Sequence, residues 1–156
     1  MTTMITLHRF LACCTLWWLS AAQAQTPTAD KPPEIPPFFI EAADCTAAFE
    51  ASVKVRLREA RTPARDEAIL RDTEKGFIFV GMAYKQGLRN PEADQLLHAA
   101  EQRWEKMGKE EQAKRLASCA SKAQVLMDDV SFIERYIVRN RAQARVDRLL
   151  SKEKQP

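Results

Sequence analysis

Strong chemical signatures are what this 156-residue chain has least of. It holds no Gly-rich phosphate loop, no His-Glu-x-x-His, no Gly-x-Ser-x-Gly and no Cys/His spacing suited to a metal ion. Its two histidines are His8 and His98, and none of its four cysteines sits in a Cys-x-x-Cys arrangement. A small enzyme usually needs a nucleophile–base pair or a metal, so these absences weigh against catalysis and leave no cofactor to expect. Charge of one sign is lacking too: 24 Lys/Arg stand against 21 Asp/Glu, a net charge of +3. That balance does not suit a dedicated nucleic-acid binder. No apolar run reaches the roughly 20 residues of a membrane-spanning helix, and no two strand-like segments are present to pair with one another.

What is present begins with an export address. His8 and Arg9 form a short positive region, Phe10 to Leu19 an apolar one, and Ala22-Gln23-Ala24 is an A-x-A cleavage site. Residues 1–24 are therefore expected to be a signal peptide, with a mature chain from Gln25 delivered to a bacterial periplasm. A lipid anchor at Cys13 is the competing reading of Leu11-Ala12-Cys13. It would leave Trp17 and Trp18 inside the mature chain. Cleavage after Ala24 removes Cys13 and Cys14, so Cys45 and Cys119 remain alone in an oxidising compartment, where a disulfide is the expected fate of a pair.

Residues 25–37 carry five of the eight prolines and read as a disordered, extended leader. From there the pattern turns helical, and residues 38–152 are expected to form a single all-α domain of four or five helices, with 153–156 as a disordered tail. Phe38, Ala42, Cys45, Phe49, Val53, Leu57 and Ala60 recur at steps of three and four along a first helix. Thr62 and Pro63 are suited to start a second, running to about Gln86 with Gly87 closing it. Ile69, Leu70, Phe77, Val80 and Tyr84 supply its bulk, and Gly76 and Gly81 are expected where another helix packs closely. Asn90 would cap a third helix running through Met107 and closed by Gly108, and a fourth would start near Lys109 with Leu116, Ala120, Ala123 and Met127 on its apolar face. Ser131-Phe-Ile-Glu134 matches a capping box, so the last stretch either restarts there or continues as one long helix. Ile133, Tyr136, Ile137, Leu149 and Leu150 are its large apolar residues. The polar run between Val138 and Arg148 predicts that its C-terminal half stands partly clear of the core.

Residues 131–156 carry seven Lys/Arg against three Asp/Glu, while residues 25–130 carry 16 against 18. Arg135, Arg139, Arg141, Arg145 and Arg148, with Lys152 and Lys154, make the final helix the expected contact surface for a protein partner, and their charge suits an acidic one. The alternative is a carrier of a small apolar ligand held around Phe38, Phe39, Phe77 and Tyr84. Asp94, His98 and Glu101 share a helix face, but ligands spread along about 10 Å of axis suit one ion poorly, and no metal site is assigned. Asp66, Glu67, Arg71 and Glu74 read as exposed intrahelical ion pairs.

Overall fold

Pro37 opens the first helix because its missing N–H costs nothing in a first turn. The computed structural model describes residues 34–153, and α1 spans Pro37–Arg56. Four more helices follow: α2 (Pro63–Lys85), α3 (Glu92–Lys106), α4 (Lys109–Asp129) and α5 (Phe132–Lys152), with no strand among the described residues. The signal peptide, Cys13, most of the Pro-rich leader and Lys154 lie outside those residues. No described helix is long and apolar enough to cross a membrane.

The sequence signals at the helix ends act as local chemistry requires. Thr62 Oγ1 accepts from the Arg65 N–H at 3.1 Å, capping α2. At the other end Gly87 takes φ 108°, a conformation that an L side chain resists. Its N–H donates to the Tyr84 carbonyl, the Leu88 N–H reaches back to Ala83, and Leu88 is thereby turned into the core. Asn90 does not cap α3. Its side-chain carbonyl instead accepts from the Tyr84 hydroxyl, and the helix begins at Glu92 without a side-chain cap. The capping box at Ser131 is formed in full, so α4 stops at Asp129 and α5 starts afresh.

α1 sits at the centre, packed against α2, α3 and α4. Its buried residues cover much of its circumference, and most are small: Ala42, Ala43, Ala47 and Ala48 let neighbours approach, while Phe39, Phe49 and Val53 fill volume. Phe39, not Phe38, heads the buried set, and Ala60 lies beyond the helix and exposed. α2 also meets three helices, α1, α4 and α5. This explains why its apolar middle shows no clean period. Ile78 and Phe79 enter the core, with Phe79 stacked on Phe49 at 6.5 Å between ring centroids, whereas Phe77, Val80 and Tyr84 are half-buried. Gly76 is buried against Phe49, although a Cβ there would meet it at only an ordinary 3.7 Å; Gly81 is exposed, with nothing within 4 Å of where a side chain would start.

Cys45 and Cys119 are bonded, Cα to Cα 5.3 Å, joining α1 to α4 from within the main core. A second apolar cluster gathers Val53 of α1, Ile69 of α2 and Val146 of α5. That cluster reverses the expectation for α5. Its buried residues are Val138, Ala142 and Val146, one per turn through the very stretch whose polar content suggested exposure. The large apolar residues of its first two turns face outward instead.

Candidate functional site

The N-terminal end of α5 is fixed by one carboxylate. Glu134 Oε2 accepts from the Ser131 backbone N–H at 2.9 Å and from the Ser131 hydroxyl at 2.7 Å, and Oε1 takes Lys85 Nζ at 2.8 Å. Lys85 above all, then Ser131, holds the Glu134 carboxyl well below the usual range, at about 2; the same pair pushes the Lys85 ammonium upward. The C-terminal end is fixed by a buried cation. Arg65 grips Glu153 with two N–H groups, at 2.7 and 3.3 Å, and donates to the Glu59 carbonyl at 2.8 Å and to Asp66 at 3.1 Å. Glu153, expected in a loose tail, is therefore an anchor. For Asp66, burial pushes the carboxyl up, but bonds from Arg61 and Arg65 outweigh it and leave it below its ordinary value.

Between these two anchors α5 presents an apolar surface to solvent. Phe132 is 78% exposed, Ile133 68%, Tyr136 59% and Ile137 44%. Scattered single apolar residues are ordinary on a surface, but four large ones within two turns form a patch. An open cavity of about 550 Å³ lies beside it, between α2 and α5, lined by Ile78, Gly81, Met82 and Ile137 and edged by Lys85 and Arg89. The exposed Gly81 thus borders this hollow and packs against no helix.

The five arginines do not form one continuous surface. Arg139 turns toward α2, its Nε 3.8 Å from Glu74 Oε1, a buried oxygen with no hydrogen-bond partner. Arg145 turns toward α1, 3.6 Å from Glu50. Arg135, Arg141 and Arg148 make no ion pair among the described residues. Ile137, Arg141, Arg148 and Lys152 follow one another at helical steps, so the apolar patch runs into a basic stripe. Glu74, expected in an exposed intrahelical pair, is instead a largely buried acid facing α5, while Glu67 and Arg71 do pair on the surface at 2.6 Å.

The four aromatics considered for a ligand site do not meet around one cavity. Phe39 is in the core, and Phe38 is half-buried at the start of α1. Tyr84 borders the hollow beside α5 and a small cavity against α3, and its hydroxyl is engaged by Asn90. Phe77 alone lines a separate cleft of about 290 Å³ between α1 and α2, closed at one end by Arg145 and Leu149 of α5. Asp94, His98 and Glu101 also part company: Glu101 pairs with Lys54 at 3.4 Å and His98 with Gln102 at 3.0 Å. Among the described residues no cluster of three or more His, Cys, Asp or Glu side chains could share an ion.

The exposed patch is not legible from residue size, because Phe132, Ile133, Tyr136 and Ile137 are as apolar as the residues that fill the core. The signal that could have found it was the small-residue stripe Val138–Ala142–Val146, which sets the buried face of α5 and turns Phe132, Ile133 and Tyr136 away from it. No family model, curated protein or solved structure matches this chain.

Proposed function

We propose that this is an exported helical protein that binds an acidic protein partner, without catalysis, through the outward face of α5. The observation that carries the reading is the exposure of Phe132, Ile133, Tyr136 and Ile137 on one helix beside three arginines with no partner among the described residues. Aromatic and arginine side chains are enriched where proteins meet, and such anchors gain most of their energy when a partner removes them from water. Charge favours an acidic segment over a second copy of this chain, since pairing two α5 helices would set Arg135, Arg141 and Arg148 against their own kind. The address rests on the A-x-A site ending at Ala24, and the Cys45–Cys119 bond favours the same oxidising compartment, the periplasm. In this reading residues 1–24 are removed, and the Pro-rich segment spaces the domain from its new terminus at Gln25.

A photo-crosslinking side chain at position 136, in protein expressed in its host and recovered from the exported fraction, tests the surface. The expected result is a discrete adduct with one acidic polypeptide, lost in high salt and in the triple variant Arg135→Glu, Arg141→Glu, Arg148→Glu. These three are chosen over Arg139 and Arg145 because reversing the latter would repel Glu74 and Glu50 within the fold. Absence of an adduct, or one indifferent to charge reversal, overturns the assignment. The intact mass of the same material reports whether the chain starts at Gln25.

A further inference from the structure

The cleft between α1 and α2 has a chemical bias independent of the α5 surface. Its walls are apolar, built from Phe49, Val53, Leu57, Phe77, Val80 and Leu149. At the roughly 30 Å³ that one water occupies in the liquid, about 290 Å³ is the space of about ten waters, enough for a small ligand. Two threonines line it, and both have already committed their protons: Thr46 Oγ1 donates to the Ala42 carbonyl at 2.8 Å and Thr73 Oγ1 to the Ile69 carbonyl at 2.7 Å. A hydroxyl bonded backward in this way keeps only acceptor lone pairs for a visitor. Asp72 also lines the cleft. Its Oδ2 is taken by Ser52 at 2.8 Å and Arg56 at 3.0 Å, while Oδ1 has no hydrogen bond among the described residues. The donors of the lining, Lys54 and Arg145, are solvent-exposed at the mouth and paired with Glu101 and Glu50. Inside, the polar atoms on offer are acceptors.

We propose that this cleft binds a small apolar molecule ending in a hydrogen-bond donor, an alkylammonium or an alcohol. An apolar body replaces water against the aromatic and aliphatic walls, and the donor head satisfies Thr46, Thr73 or Asp72. An acceptor-only head such as a carboxylate would face lone pairs and an acid inside the cleft, and could be met only at the mouth, by Lys54 and Arg145, which already face Glu101 and Glu50.

The test uses the native, disulfide-bonded chain with three probes of equal length: n-octylammonium, n-octanol and n-octanoate. Calorimetric titration is expected to show the first two binding at least about tenfold more tightly than octanoate, the ratio that one hydrogen bond to a buried polar group supports. Octylammonium ahead of octanol assigns the head to Asp72, and the reverse order assigns it to the threonines. Nuclear Overhauser contacts from the octyl protons to the Phe49 and Phe77 rings are expected, and they locate the site without any variant. Val80→Trp, which plugs the cleft, should abolish binding, whereas Phe132→Ser on α5 should leave it intact. Octanoate binding as well as the others, no binding at millimolar probe, or contacts confined to Phe132 and Tyr136 would overturn the proposal.

Discussion

Glu134 joins two jobs in one side chain, capping α5 through Ser131 and holding α2 through Lys85. Its carboxyl titrates near 2, below the ordinary glutamate value of about 4.3. The ionised form therefore stabilises the fold, fully above the ordinary value, and that contribution disappears as pH falls toward 2. Thermal melts of the native protein and Glu134→Gln should differ by a constant amount at neutral pH and converge between about pH 4 and pH 2. A gap that persists at pH 2 would show that the charge is not responsible. Lys85 runs the opposite way: raised by Glu134, its contribution is complete below its ordinary value and is lost only as pH climbs through the raised one. At this scale much was readable. Thr62, Gly87 and the capping box follow from residue type and position, because a cap depends on a few neighbouring atoms. Asn90 was not readable, since whether its side chain faces its own helix or Tyr84 depends on how α2 ends.

The helices themselves were legible and their rotations only partly so. A helix needs one stripe to be recognised, and α1 and α4 provide it through Cys45, Phe49 and Val53 on one and Cys119 and Ala123 on the other. α2 meets three neighbours, so Phe77, Ile78, Phe79 and Val80 are apolar on all sides and the sequence holds no contrast to choose among them. Through most of α5 the contrast exists but is inverted in size, with Val138, Ala142 and Val146 inside and Phe132, Ile133, Tyr136 and Ile137 outside; only near its C-terminal end do the large Leu149 and Leu150 pack inward, against the second cluster. The inversion has an energetic signature. Val146→Ala removes buried surface from the second cluster and should cost about 2 kcal/mol in chemical denaturation. Phe132→Ser removes a larger side chain that is already in water, and should change stability by less than about 0.5 kcal/mol. If the phenylalanine proved the costlier loss, the assigned rotation of α5 would be wrong.

At the scale of the described residues, the Cys45–Cys119 link spans 74 residues, from the middle of α1 to the middle of α4. Closing a loop of that length restricts the unfolded chain by about 4 kcal/mol, comparable with the total stability of many domains. The double variant Cys45→Ser, Cys119→Ser should accordingly melt far below the oxidised protein, with reduced native protein following it. Equal melting of all three would mean the bond contributes nothing. That link encloses α2 and α3 completely and stops short of α5, which is held through α2, the second apolar cluster and a salt bridge at either end. Opening should then be ordered in rank: the last helix peels away while the ring of four stays closed. A partner seated on the outer side of α5 raises the free energy of that first opening by RT ln(1 + c/Kd), where c is the partner's free concentration. Its arrival would be felt on the inner side too, as slower amide exchange along the flank of α2 that it never touches.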